Sequence, residues 1–294
     1  MCGSTRQGGT VPISPDGYAY GLSFSRDGRT LYYLLRRVAS ESTRELWMTE
    51  LASGKSEPII AGRTVLDYNV SADGSQVVFS APSQEGIPQL WLGWLDGRSV
   101  PRLLGAMRGD EPFFGPDRDV LFRQSDGVNN YLLDVKLDGS MPVKAMRDPI
   151  LHFKGMSPDG RWAVVQVPVD EVPTTAVVAV SLTDGAVKRI CPAECMVRWS
   201  PDGLRFYVEP FLQGQEGGKA IAIPVPKEST VPDMPASGLR SAADSVNLRG
   251  SAVVDLATYA PAHDGGSIAP GQAPDTFAYA KTTSHRNLFQ IQLP

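Results

Sequence analysis

The sequence predicts an all-β fold: a six-bladed β-propeller of four-stranded antiparallel blades, with the ring closed by pairing of the amino- and carboxy-terminal strands. Two observations predict it. The segment Phe24-Ser25-Arg26-Asp27-Gly28-Arg29-Thr30-Leu31-Tyr32-Tyr33 is echoed at Val70 to Phe79, Phe114 to Phe122, Met156 to Val165 and Trp199 to Val208. The matching aspartates, Asp27, Asp73, Asp117, Asp159 and Asp202, are spaced 46, 44, 42 and 43 residues apart. A period near 40–45 residues with several short strands per unit marks a propeller blade.

Each element of the unit has a local reason. Ser-Pro-Asp-Gly, as in Ser157 to Gly160 and Ser200 to Gly203, is a turn string: proline presets φ, aspartate bonds nearby backbone, and glycine accepts positive φ. An apolar or aromatic residue ends one strand before it, and a run such as Gln76-Val77-Val78-Phe79 begins the next, so each blade opens with a hairpin. A third strand follows at Glu45 to Leu51, Gln89 to Leu95, Tyr131 to Leu137 and Thr175 to Leu182. A polar glycine turn and a short closing strand such as Pro101-Arg102-Leu103-Leu104 complete four strands per unit. The predicted blades cover residues 19–60, 65–104, 110–146, 150–190, 195–235 and 250–294, the last joined by residues 10–14.

Two stretches interrupt the period. Pro224 to Arg249 reads as an insertion between the fifth and sixth units, with a helical turn after a serine cap within Ser237 to Val246. Ala260 to Pro274 is rich in Gly, Pro and Ala, after which Thr276 to Lys281 and Asn287 to Leu293 restore two strands. Ring closure is expected from Thr10 to Ser14 lying beside Asn287 to Leu293 as an outermost strand, where Pro12 is tolerated. On that reading Met1 to Gly8 contributes almost nothing.

No linker divides the 294 residues, which therefore read as a single domain, and 42% hydrophobic content suffices for a packed interior. No apolar run approaches the roughly 18–20 residues of a membrane helix, and the amino terminus lacks the apolar core of a secretory signal. A net charge of −4 with scattered basic residues gives no electrostatic footprint for nucleic acid.

The Ser-Pro-Asp-Gly turns, each followed by an apolar strand, an aromatic or Leu-Trp strand and an Asp-Gly turn, resemble the WD40-like repeats of TolB-type propellers over nearly the whole chain. That resemblance implies a binding platform, a regulatory domain or a sensor. The stretches Pro88 to Asp96, Met156 to Trp162, Val197 to Gly203 and His285 to Ile291 are similar to the carboxy-terminal propeller of bacterial serine/threonine protein kinases. The kinase catalytic motifs are absent from these 294 residues, so the resemblance implies the sensor or docking portion without the catalyst.

The search for chemistry is mostly negative. Gly214 to Ala220 superficially resembles a phosphate loop, but alanine follows the lysine, leaving no hydroxyl for magnesium. Gly265 to Ala269 lacks the second glycine of a nucleophile elbow. His152, His263 and His285 fall in different units with no metal-ligand spacing, so no cofactor or metal is expected. His152 is either a channel-facing group or a histidine hydrogen-bonded to a neighbouring loop. Cys191 and Cys195 are either a disulfide or two reduced thiols in a tight connection.

Blade inner strands bring Asp67, Tyr68, Asp110, Glu111, His152, Arg198 and Trp199 toward a channel mouth, where a propeller receives its partner. The expected function is a non-catalytic binding or sensor module for a protein or peptide, with a small ligand as the other candidate. The alternative is an enzyme: a propeller hydrolase or lyase working with channel residues, or a fragment of a kinase whose catalytic domain lies elsewhere.

Overall fold

The computed structural model describes residues 2–6, 9–37, 42–96, 99–170, 174–210, 219–226, 229–255 and 268–280, with backbone alone for residues 2–6 and 9–11. The chain is an all-β propeller. It opens with β1 (Cys2–Arg6) and β2 (Gly9–Pro12), then runs through five blades of four consecutive antiparallel strands. Blade one holds β3 (Tyr18–Phe24), β4 (Thr30–Arg36), β5 (Glu45–Glu50) and β6 (Ser56–Ile60). Blade two holds β7 (Asp67–Val70), β8 (Gln76–Pro82), β9 (Pro88–Trp94) and β10 (Arg102–Arg108). Blade three holds β11 (Asp110–Phe114), β12 (Asp119–Ser125), β13 (Asn130–Lys136) and β14 (Val143–Lys144). Blade four holds β15 (His152–Met156), β16 (Trp162–Pro168), β17 (Thr175–Ser181) and β18 (Val187–Cys191). Blade five holds β19 (Cys195–Trp199), β20 (Arg205–Pro210), β21 (Lys219–Pro224) and β22 (Ala252–Asp255).

The count of six consecutive blades is not met. The remaining four-stranded sheet is a composite of both ends of the described chain, ordered β2-β1-β24-β23, with β23 (Ile268–Pro270) and β24 (Phe277–Ala280). Its pairs run from Cys2↔Ala280 to Thr5↔Phe277 and from Gly3↔Pro12 to Arg6↔Gly9. The expected closure also needs correcting, because β2 pairs with β1 and it is β1 that lies beside β24. Only two residues separate β1 from β2, so the pair enters the sheet as one hairpin. Pro12 does lie on the outermost strand, where its absent N–H leaves no ladder bond unmade. Asn287 to Leu293 lies outside the described residues.

The insertion falls elsewhere than predicted. It separates the third and fourth strands of blade five, because Ala252 to Asp255 pairs with β21 as Lys219↔Asp255 through Ala222↔Ala252. Val231 and Leu239 are fully buried with Val197, Phe206 and Ile221, so the insertion docks by apolar burial on blades four and five. Leu239 N–H donates to the Ile190 carbonyl at 2.7 Å. Ala242–Asn247 forms one 3-10 helix behind Ser241, whose N–H donates to Asp244 Oδ2 at 3.0 Å.

Six apolar clusters are found among the described residues, each between two neighbouring sheets. Leu34 and Leu46 meet Val77 and Phe79 between blades one and two, and Leu90 and Leu104 meet Val120 and Phe122 between two and three. Leu121 and Leu132 meet Phe153 and Ala163 between three and four. Val164 and Val177 meet Phe206 and Ile221 between four and five. The composite sheet gives Ile268, Phe277 and Tyr279 to blade five, and Ala269 and Ala278 to blade one.

The repeat turns form as predicted at four of five positions. Asp27, Asp73, Asp159 and Asp202 each accept a serine hydroxyl at 2.5–2.6 Å and the backbone N–H two residues on at 3.0–3.1 Å. These bonds hold the Asp73 carboxyl down at about 2, the Ser71 hydroxyl contributing most. At Asp117 the device differs: the serine position is Gly115, Arg118 takes the glycine place at φ 55°, and Asp119 Oδ1 accepts the Asp117 N–H at 3.2 Å. The turns also nest. A Cβ on Gly160 would lie 2.8 Å from Pro116, and one on Gly203 3.3 Å from Pro158, so each turn leans on the previous blade's proline.

Blade three carries an electrostatic cost. Burial, then the charge of the nearby Asp119, pushes the Asp134 carboxyl up to about 6, and its Oδ1 has no hydrogen-bond partner among the described residues. A carboxyl raised in the folded state contributes stability present below its unfolded value near 4 and lost as pH rises through about 6. Asp134→Asn is therefore expected to be about 1–2 kcal/mol more stable than the parent at pH 8 and equal to it at pH 4. Urea unfolding at the two pH values checks this.

Candidate functional site

The first strand of every blade faces the propeller axis, and β7, β11, β15, β19, β23 and β3 pack successively around it. Each runs from one mouth of the channel toward its turn, so strand starts line one mouth and strand ends the other. The predicted residues divide accordingly.

At the strand-start mouth, Asp67, Asp110, Glu111 and His152 gather around Arg123. Asp110 lies opposite Arg123 in the hairpin register and grips it bidentately, Nε to Oδ1 at 2.8 Å and Nη2 to Oδ2 at 2.7 Å. Arg123 Nε lies 3.3 Å from Glu111 Oε2, and Nη1 donates to the Leu151 carbonyl at 2.7 Å. Glu111 accepts the Phe153 N–H at 2.6 Å and contacts His152 Nδ1 at 2.7 Å, which assigns the Nδ1 proton toward the carboxylate. His152 thus bonds to strand β11 of the neighbouring blade. Glu111 holds φ at 50° within a bulge, a conformation glutamate rarely adopts and one that swings its carboxylate toward blade four.

Asp67 completes the cluster. Burial, then the charges of Glu111 and Asp110, pushes its carboxyl upward, while Ser80 Oγ donates to it at 3.3 Å. Three carboxylates face one guanidinium here, joining blades two, three and four. No group of three or more residues arranged to hold a metal occurs among the described residues. Tyr68, next in sequence, spans a blade boundary by donating its hydroxyl to the Gly21 carbonyl at 2.6 Å.

At the strand-end mouth a cavity of about 940 Å³ opens between the turns. Phe24, Phe114, Met156 and Trp199, the last residues of their inner strands, form its apolar rim. Trp199 is fixed there, its indole N–H donating to the Thr230 carbonyl at 2.8 Å and its ring 4.7 Å from that of Phe206. Deeper in the wall lie Arg198 and Lys154. Burial pulls the Arg198 guanidinium below its ordinary value, with Tyr68 and Glu209 acting in the opposite sense. Asp73 and Asp159 lie at the rim, bound into their own turns.

The sequence reading did not find Arg123 or Lys154. Counting back from the Gly115 turn places Arg123 opposite Glu111, beside Asp110, and an arginine following the run Val120-Leu121-Phe122 was a usable signal; the bulge moves the pairing to Asp110. Lys154 had none, because it is the extra residue of a bulge between the pairs Phe153↔Val165 and Gly155↔Val164. Cys191 and Cys195 are joined as a disulfide with Cα atoms 6.4 Å apart, tying the end of blade four to the start of blade five. His263 and His285, the phosphate-loop-like stretch Gly214 to Gly218 and the stretch Gly265 to Ser267 lie outside the described residues.

The architecture is that of a β-propeller, and solved structures similar to it include TolB proteins. No protein-family model and no curated protein matches the chain. Among solved structures, the TolB-designated protein of Agrobacterium tumefaciens is similar at 17% identity and a TM-score of 0.57, over 94% of each chain. TolB from Acinetobacter baumannii is similar at 17% identity and a TM-score of 0.56, over 71% of this chain. An oligogalacturonate lyase solved in complex with manganese is similar at 14% identity and 0.55, over 73% of this chain. The matched region spans about half, 52%, of the Acinetobacter protein and 65% of the lyase. No helix among the described residues is long and apolar enough to cross a membrane.

Proposed function

We propose that this chain is a non-catalytic binding module that receives a protein or peptide segment in the funnel at its strand-end mouth. The observation that carries this is the funnel itself: a cavity of about 940 Å³, ringed by aromatic and thioether side chains at the ends of inner strands. Aromatic residues and methionine are enriched where proteins meet partners. The opposite mouth is closed by its own bonds, since Arg123 is held by Asp110, Glu111 and the Leu151 carbonyl. Similar propellers include one solved in a nidogen/laminin complex, a precedent for a protein partner on this fold. The six sheets act as one closed ring, a reading supported by the apolar contacts of the composite sheet with blades one and five. The finer assignment as the sensor portion of a kinase-like signalling protein rests on the sequence resemblance.

Panning a random peptide library on the full chain tests the funnel. Enriched peptides are expected to lose binding about tenfold or more in Phe114→Ser, as removal of a central aromatic anchor does. They should bind Arg63→Ser normally, because Arg63 lines a separate surface cavity with Trp91. Peptides that ignore Phe114→Ser would refute the funnel as the binding site.

A further inference from the structure

We propose that the funnel is built for a carboxylate-bearing ligand, with Arg198 and Lys154 receiving the carboxylate and the aromatic rim receiving the apolar group beside it. This rests on the funnel being the binding site and specifies its chemistry. A peptide carboxy terminus and a small free acid share that chemistry.

Four observations converge on it. Arg198 is half-buried in the channel wall, its side chain at no hydrogen-bond or ion-pair distance among the described residues, and the carboxylate acting on it electrostatically is that of Glu209. A guanidinium carries five N–H donors in a fork that matches a carboxylate. Lys154, on the neighbouring inner strand, is re-aimed by its bulge, and its side chain is only 12% exposed. Its ion partner, Glu194, is 3.6 Å away and 60% exposed, a contact weakened by water.

The lining carboxylates do not neutralise this pair. Asp73 Oδ1 accepts from Ser71 and Ser75, and Asp159 Oδ1 from Ser157, Arg161 N–H and Thr230. Those acids serve the turns at the rim. Arg198 lines the same cavity as Phe114 and Trp199, so an anion bound at its fork has apolar neighbours.

The test is titration of the full chain with N-acetylphenylalanine, N-acetylphenylalanine amide and acetyl-Gly-Gly-Phe, followed by tryptophan fluorescence and by the arginine Nε–Hε resonances. The two acids are expected to bind saturably and to shift the Arg198 resonance, with the amide about tenfold or more weaker. Tighter binding of the tripeptide identifies a peptide end, and equal binding of the two acids identifies a small acid. Arg198→Met and Lys154→Met should each weaken acid binding several-fold or more, while Arg198→Met leaves the unliganded melting temperature unchanged or raised. Equal binding of acid and amide, both lost in Phe114→Ser, overturns the carboxylate inference and leaves the funnel standing. Acid binding that survives Phe114→Ser, Arg198→Met and Lys154→Met overturns both. Absence of saturable acid binding up to about 20 mM, a free energy near 2 kcal/mol, or a marked fall in the melting temperature of Arg198→Met also overturns the inference.

Discussion

Arg123→Met is expected to destabilise the propeller by about 3 kcal/mol at pH 7, the cost of removing one partner from a largely buried ion cluster. The arginine is 19% exposed, Asp110 24% and Glu111 18%, so little solvent is available to screen the carboxylates left behind. Asp67, already pushed upward by burial and by these two neighbours, would rise further. A carboxyl raised in the folded state favours folding below its unfolded value and ceases to do so as pH rises through the folded one. The deficit of the variant must therefore shrink as pH falls from 7 toward 4. Adding Asp110→Asn and Glu111→Gln to Arg123→Met should recover part of the loss at pH 7, since it removes the stranded charges. Urea unfolding across that pH range decides the matter: a loss below about 1 kcal/mol, or one that does not vary with pH, would mean the cluster is not what staples blades two, three and four.

Removing residues 1–8 is expected to be nearly as damaging as removing residues 1–14. The shorter truncation deletes β1, the strand between β2 and β24, so β2 loses its partner and β24 becomes an edge. Four register pairs to β24 and four to β2 disappear together. At roughly 0.5–1.5 kcal/mol net per hydrogen bond, and about one bond per pair, the loss is about 4–12 kcal/mol, enough to lower the melting temperature by roughly 10 °C or more. The longer truncation also removes the Ile13 carbonyl, which accepts the Ser56 hydroxyl at 3.2 Å. A melting temperature for the 1–8 truncation equal to that of the full chain would show that the composite sheet does not bear on stability.

The contrast between these two regions shows what could be read from residues alone. The turn at Asp27 is legible because the side-chain bonds of Ser25 and Asp27 that shape it lie within Ser25 to Thr30. The composite sheet is not, since Cys2-Gly3-Ser4-Thr5-Arg6 has neither alternation nor β-branched enrichment and finds its partner at the other end of the chain. At Asp117 the residue type was preserved while the work passed to Asp119, a substitution visible only once Gly115 is seen to lack the hydroxyl. Asp67, Asp110, Glu111 and His152 could be placed at one mouth because each lies at or near a strand start. Arg198 and Trp199 belong to the other because they end theirs. Local backbone departures, positive φ at Glu111 and the bulge at Lys154, carry no signature in the residue type and had to be observed.

The pairing of Cys2 with Ala280 also sets an order of events during synthesis. Blades one to five are each made of strands consecutive in the chain, so each can assemble soon after it leaves the ribosome. The hairpin of β1 and β2 emerges before all five blades and must wait for β24, an interval of roughly 15–60 s at about 5–20 residues per second. Throughout that interval the newborn polypeptide displays a strand edge that β24 alone will cover. A ribosome-stalled chain ending before Phe277 should accordingly engage chaperones through its amino terminus, and release them once β24 has been translated.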